Sequence, residues 1–384
     1  MISLFQPQVG EEELAAVAEV FDSKWLGHGP RTKAFESEFA AHLGVPADHV
    51  VFLNSGTSGL FLAVEALGLG PGDDVVLPSM SFLAAANAVM ASGARPVFCD
   101  VDDHTMNPSW HDIEAALTPS TKAVLLLHYA GYPGDILEIA ERCRERGLIL
   151  IEDAACALGS AVDGRPLGSL GDLAMWSLDA AKILTTGDGG LLYVRDAELV
   201  VRARRLAYHG LVHPSGAGYA RVSHRWWELE VPEVGRRLIG NDLTAAIGSV
   251  QLRRLPGFIS RRREIVELYQ RELGSAQGLR LPPPLSPGHE ASHYFYWVQT
   301  DPAIRDEAAS DLLEAGIYTT FRYAPLHKVP TYKSTGRVLP GTELASGRTL
   351  CLPIHPGLSD DDVRTVARAL RESVEARTRL LLPI

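Results

Sequence analysis

The chain reads as an α/β protein with a mainly parallel sheet covered by helices on both faces, followed by a smaller α+β domain. Three observations predict this. Short apolar runs alternate with helical patterns over about 150 residues, the signature of βαβ units. Polar, chemistry-bearing residues fall at the ends of those runs, where open α/β sheets bind ligands. At 384 residues the chain is long enough for a large domain and a small one, and the Pro282-Pro283-Pro284 linker precedes a different pattern of elements. Pro256 marks the candidate division, giving a large domain over residues 1–255 and a small one over 256–384.

The elements follow in order. Glu11–Asp22 carries Leu14, Val17, Val20 and Phe21 at helical spacing. The glycine-punctuated loop Ser23–Pro30 leads to a helix over Thr32–Leu43, and its Trp25 either lines a pocket or plugs the surface. His49–Leu53 is a strand, and Asn54-Ser55-Gly56-Thr57-Ser58 then opens a helix that ends at Ala66. That turn offers backbone N–H groups and hydroxyls at a helix N-terminus, which suits a phosphate, although Ser and Thr also serve there as plain caps. After strand Val75–Leu77, Phe82 sits at the junction with helix Leu83–Ala91, placed either to stack on a flat ring or to pack into the core. Strands Arg95–Asp100, Ala123–Leu127 and Leu148–Glu152 continue the pattern, with helices Ser109–Leu117 and Ile136–Gly147 between them. A helix over Ala197–Ala207 precedes an irregular excursion, Leu211–Ile239, which contains Arg225-Trp226-Trp227. Asn241 then caps a helix running past Gln251, and helical patterning resumes over Arg261–Leu273. The remainder reads as strand Tyr294–Gln299, helix Asp301–Gly316, the segment Tyr318–Pro330 and helix Asp360–Ser373.

Bulk properties exclude several classes. A net charge of −11 argues against nucleic acid as a partner, because phosphate backbones select basic surfaces. Cys99, Cys143, Cys156 and Cys351 show neither a CxxC pair nor Cys/His metal spacing, so no metal is expected and the thiols read as reduced. No signal peptide and no membrane-length apolar run is evident, so the expected location is cytoplasmic. No strand-helix unit opens with Gly-x-Gly-x-x-Gly, which weighs against a nicotinamide Rossmann domain.

The most informative stretch is Leu148–Val194. Asp153 ends one apolar run, Ser177-x4-Lys182 ends the next, and Gly187-Asp188-Gly189-Gly190 turns into the third. A carboxylate, a hydroxyl and a lysine gathered at one sheet edge match the needs of pyridoxal phosphate: an amine for a Schiff base and an acid to keep the pyridine nitrogen protonated. With only six lysines in the chain, few other amines are available.

Together with Trp25-Leu26-x-x-Gly29-Pro30, Ser55-Gly56-Thr57, Ser81-Phe82, Glu152-Asp153-Ala154-Ala155 and Asn241 ahead of Ala245-Ala246-Ile247-Gly248, this order of motifs resembles the DegT/DnrJ/EryC1/StrS family of sugar aminotransferases. The resemblance covers nearly the whole chain. It implies a type I PLP-transferase fold with a seven-stranded large domain, and a homodimer with sites shared between subunits. By the same resemblance Lys182 is the Schiff-base lysine, Asp153 pairs with the pyridinium and Phe82 stacks on the ring. Gly56, Thr57 and Ser177 hold the phosphate, with Asn241 of the other subunit. Burial beside a cationic ring is expected to depress the Lys182 amine.

Two positions bear on the reaction. Where the family carries Gln or His to reach the cofactor's phenolic oxygen, this chain has Cys156, a weak hydrogen-bond donor. Relatives that dehydrate keto-sugars carry His at the lysine position, so Lys182 favours transamination. The expectation is transfer of an amino group from glutamate or glutamine to a nucleotide-linked keto-sugar, a dTDP-4-keto-6-deoxyhexose giving the 4-amino sugar. A 3-keto-sugar or cyclitol (inosose) aminotransferase and a PLP-dependent dehydratase are the alternatives. Trp25, Arg322, Tyr323 and His327 are the candidate substrate contacts. Arg322 either pairs with a diphosphate or makes a structural ion pair, and His128, at a strand's ligand edge, reads as a residue that supports the site from behind or simply packs.

Overall fold

Along the central strands, neighbouring residues enter different cores, apart from Leu126 and Leu127 at one strand end. A computed structural model describes residues 1–212, 225, 227–332 and 337–381. The large sheet comprises β1 (Val50–Leu53), β2 (Asp74–Pro78), β3 (Arg95–Cys99), β4 (Thr121–Leu127), β5 (Ile149–Asp153), β8 (Leu173–Ser177) and β9 (Gly190–Val194). Two short strands, β6 (Ala161–Val162) and β7 (Arg165–Pro166), lie between β5 and β8 in the chain. Val50, Phe52, Val124, Leu126, Ala174 and Trp176 enter one core; Val51, Leu53, Ala123, Leu125, Leu173 and Met175 enter the other. Alternation with both faces buried is what a sheet covered on both sides requires.

The strand order is β1-β9-β8-β5-β4-β2-β3. β9 runs antiparallel to β1 and β8, and the remaining neighbours pair in parallel. Helices α1 (Glu11–Ser23) and α2 (Pro30–Leu43) precede the sheet. Phe35 and Phe39 of α2, Ile113 of α5 (Trp110–Glu114) and Ile136 and Ile139 of α6 (Ile136–Glu145) cover the first face. The second face is covered by α3 (Gly56–Ala66), α4 (Leu83–Ala91) and α7 (Ala197–Ala207).

One 32-residue helix, α8 (Asp242–Leu273), replaces the two helical segments expected on either side of Pro256. Pro256 and Gly257 lie on its exposed side, so water meets the backbone carbonyl that loses its donor to proline. Ala245 and Leu255 of α8 pack in the first sheet core. Ile265, Val266, Tyr269 and Leu273 pack in a separate core with β11 (Tyr296–Gln299), β12 (Thr349–Leu352), α9 (Pro302–Glu314) and α11 (Asp360–Leu381). The position 255/256 therefore falls inside a helix that belongs to both cores.

The sequence reading missed α10 (Pro340–Arg348) and strand β12, as well as the small sheet β10-β6-β7, with β10 spanning His289–Glu290. Elements of two residues leave no periodicity to read. Of the expected excursion over Leu211–Ile239, residues 213–224 and 226, Trp226 among them, lie outside the described residues. No helix among the described residues is long and apolar enough to cross a membrane.

Candidate active site

The parallel register brings the ends of β4, β5 and β8 to one edge: Leu127 lies opposite Asp153, and Asp153 opposite Met175. Asp153 is the last residue of β5, one position later than the strand expected from sequence. The turn from β1 into α3 reaches the same edge because Gly190 of β9 sits opposite both Leu53 and Ser177. A Cβ on Gly190 would lie 2.4 Å from the Ser55 carbonyl carbon and 2.5 Å from the Gly56 nitrogen. One on Gly56 would lie 2.8 Å from the Ser177 Cβ. Both positions need glycine for the close approach that sets Ser55-Gly56-Thr57 against Ser177.

These elements enclose a cavity of about 440 Å³ lined by Gly56, Thr57, Phe82, Asp153, Ser177, Lys182, Tyr294, Arg322 and Tyr323, among others. A larger cavity of about 640 Å³ lies between the segments around Asp102–Asp112 and Pro283–Ser286. Its lining contains no lysine, so the Schiff-base chemistry belongs to the smaller one.

Asp153 is only 2% exposed. One of its oxygens accepts the Ala155 N–H at 3.1 Å, and it forms no ion pair among the described residues. Burial pushes its carboxyl above the ordinary value, against the pull of the Ala155 N–H, Lys182 and His128. A buried acid short of donors is suited to a cationic partner inside the cavity.

Lys182 departs from the expected depression. Burial acts to lower its ammonium, but Tyr294, Cys156 and Asp153 outweigh it and the net direction is upward. Burial also holds Tyr294 and Cys156 protonated at neutral pH, so the charge that stabilises the ammonium there is Asp153. The depression was argued from a ring cation that the chain alone does not supply.

The anion end is built at the start of α3. The Ser55 hydroxyl accepts the Ser58 N–H at 3.1 Å, which caps the helix. The Gly56 and Thr57 N–H groups have no partner among the described residues, and Thr57 is exposed to the cavity. Two N–H groups unpaired among the described residues, at the positive end of a helix dipole and beside the Thr57 and Ser177 hydroxyls, suit a phosphate. The Tyr294 hydroxyl, in a residue that lines the same cavity, is buried without a partner among the described residues. An orphan of this kind costs ~1–3 kcal/mol unless a bound molecule satisfies it. Acid, amine, cradle and orphan hydroxyl together fit pyridoxal phosphate.

Phe82 is 43% exposed and its ring lies 5.6 Å from that of Tyr323. Arg322 lies over Phe5, its guanidinium 5.1 Å from the ring centroid, and makes no ion pair among the described residues. Cys156 is fully buried, and its sulfur is 3.9 Å from the Tyr323 hydroxyl.

Three candidate residues lie outside this cavity. His327 is buried elsewhere, with Nδ1 2.6 Å from the Ser79 hydroxyl and Nε2 3.3 Å from Glu343. Trp25 is 57% exposed and lines a separate pocket with His28, Arg204 and Tyr208. Asn241 caps α8, its side chain accepting the Thr244 N–H at 3.1 Å.

Sequence reasoning missed Tyr294, which reads as one more aromatic in an apolar strand. It also missed Glu152, whose buried carboxylate accepts from His128 Nε2 at 2.8 Å and from the N–H groups of Gly168, Leu170 and Gly171. Burial would raise that carboxyl, but these donors outweigh it and hold it below its ordinary value. The Gly168–Gly171 turn leading into β8 is thereby tied to the strand that carries Asp153.

A profile of the DegT/DnrJ/EryC1/StrS aminotransferase family matches residues 7–371. The dTDP-4-dehydro-2,3,6-trideoxy-D-glucose 4-aminotransferase of Saccharopolyspora spinosa is 61% identical over 375 residues, 98% of this chain and 97% of that protein. The aminotransferase TlmJ from Streptoalloteichus hindustanus is 58% identical and superposes with a TM-score of 0.94, covering 98% of this chain and 100% of its own. A putative sugar aminotransferase from Streptococcus pneumoniae, solved in a PLP form, is 26% identical with a TM-score of 0.89, covering 98% and 99%.

Proposed function

The chain belongs to the DegT/DnrJ/EryC1/StrS aminotransferase family and is a sugar aminotransferase, and from that premise we propose its substrates and the roles of its residues. It moves an amino group from glutamate or glutamine to C4 of a dTDP-linked 4-keto-6-deoxyhexose, with pyridoxal 5′-phosphate as carrier. The observation that carries this reading is the single cavity shared by Lys182, Asp153 and the Ser55-Gly56-Thr57 turn. Support for C4 comes from the 61% identical relative, whose name specifies a 4-aminotransferase of a dTDP sugar.

When bound, pyridoxal phosphate supplies an aldehyde that takes up nitrogen and a ring that accepts the electron pair left at the donor carbon. The chain's own residues do the rest. The Asp153 carboxylate holds a proton on the ring nitrogen, and in doing so gains the cationic partner it lacks in the free chain. The Gly56 and Thr57 N–H groups and the Thr57 and Ser177 hydroxyls bind the phosphate, and Phe82 covers one ring face. Lys182 Nζ would hold the cofactor through its aldehyde and, once displaced by the donor's amine, would be the base placed to take the proton from the donor's α-carbon. Arg322 binds an anionic group of the substrate, a carboxylate or a diphosphate. Asn241 reaches the phosphate of the partner subunit, which makes the sites composite.

Loading the protein with pyridoxal phosphate, reducing with borohydride and mapping peptides should place the adduct on Lys182. Lys182→Ala should show neither adduct nor turnover. Glutamate alone should bleach the visible band and release 2-oxoglutarate, and a dTDP-4-keto-6-deoxyhexose should restore it. Nitrogen-15 transferred from labelled glutamate should then appear on C4. Label on C3 would replace the regiochemistry proposed here, and an adduct on another lysine would overturn the site.

A further inference from the structure

The amine at the centre of this site is held by one directional contact. Lys182 Nζ lies 4.6 Å from the centroid of the Tyr294 ring, and it makes no hydrogen bond or ion pair among the described residues. An ammonium over an aromatic face is attracted by the ring quadrupole, most strongly where water is excluded. Tyr294 is itself fully buried. Its N–H donates to the Ala130 carbonyl at 3.0 Å, and its ring stacks on Phe5 at 5.2 Å with an interplanar angle of 8°. Such a ring has little freedom to follow the lysine; the lysine must come to it.

We infer that Tyr294 is a positioning residue for the reaction: its ring face holds the Lys182 ammonium at the cavity wall and so sets where that amine waits. The inference rests on the reading of Lys182 as the reactive amine. Four side chains act on that ammonium: Tyr294, Cys156, Asp153 and Arg322. Only the first presents a π face, so an isosteric change in that face isolates it.

The test uses the full-length protein without cofactor. Tyr294→Phe removes the hydroxyl and keeps the ring; Tyr294→trifluorophenylalanine, introduced by nonsense suppression, keeps the shape and drains the π face. Labelling of Lys182 by an amine-specific reagent is followed against pH by peptide mass spectrometry. Tyr294→Phe should titrate like the unsubstituted protein. The fluorinated variant should titrate about half a pH unit lower, which makes labelling about three-fold faster below the midpoint. Coincident midpoints for the two variants would overturn the inference, as would an equal shift in both. Borohydride trapping on the unsubstituted protein separates the two failures. Trapping at Lys182 without a ring effect removes Tyr294 alone, and a ring effect without trapping removes the aminotransferase site.

Discussion

At the scale of residues, Asp153 illustrates a group kept for a partner that the chain does not contain. Its folded carboxyl lies above the ordinary value because burial outweighs the Ala155 N–H and the pull of Lys182 and His128. For an acid the sign follows directly: the folded state binds the proton more tightly than the unfolded chain, so stability falls as pH rises from the unfolded value through the folded one. Asp153→Asn should therefore stabilise the cofactor-free protein at pH 8, by roughly 0.5–2 kcal/mol, as is usual when a functional group is relaxed. The gain should vanish below about pH 4, where the aspartate is neutral in both states. Urea unfolding of the two proteins at both pH values measures this, and the variant should transaminate at a small fraction of the original rate. A variant less stable at pH 8 would mean that the carboxylate is already well paired. The gathering of Asp153, Ser177 and Lys182 was legible in the sequence because the first two end apolar runs at a sheet edge and Lys182 follows just beyond. Tyr294 and Glu152 were not: Tyr294, two residues ahead of β11, meets Lys182 from more than a hundred positions away, and Glu152 in β5 takes its partners from the Gly168–Gly171 turn.

At the scale of elements, α8 ties the N-terminal helices to the sheet and to the second core. Its first residue, Asp242, is 2% exposed and serves another helix. Its carboxylate accepts the Thr32 N–H at 2.9 Å, the Thr32 hydroxyl at 2.7 Å and the Arg31 N–H at 3.2 Å, at the start of α2. Gly29, the N-cap of α2, has no side chain to do this, and a Cβ there would lie 2.7 Å from the Asp242 carboxylate. Asp242→Ala should leave these donors unmet in a buried place and cost about 1–3 kcal/mol in urea unfolding. Asp242→Asn, which keeps an acceptor, should lose less. Equal losses would show that the charge and not the acceptor holds α2. Helices α4 and α7 were legible to the residue: α4 follows the Pro78–Phe82 turn directly, and Asp196 caps α7 by accepting the Glu198 and Leu199 N–H groups. The continuity of α8 was not: proline and glycine at 256–257 read as a break, and only their exposed placement shows why none occurs. Strand β12 was hidden because its partner β11 precedes it by about fifty residues, a pairing no local pattern announces.

At the scale of the whole molecule, the proposed role of Asn241 requires a second chain. Asn241 lies outside the cavity that holds Lys182, spending its side-chain oxygen on the α8 cap. Near Asn241 apolar surface is open: Trp25 is 57% exposed, Leu26 42% and Val201 56%, with Trp25 and Val201 lining one pocket beside Ile239. Exposed aromatic and aliphatic residues grouped in this way mark a surface that another protein covers, and a second copy of the chain would bring its own Asn241 toward the first chain's phosphate cradle. Mixing experiments decide between shared and self-contained sites. Lys182→Ala and Asn241→Ala homodimers should each be nearly inactive. Unfolded together and refolded as an equal mixture, half of the dimers are hybrids. In a hybrid with shared sites, one site carries both lesions and the other carries neither, so activity should return to about a quarter of the unsubstituted level. Self-contained sites would return none, because every cavity would still carry one lesion. Light scattering on the same samples should give the mass of a dimer, and a monomer with full activity would end the argument for a partner's asparagine.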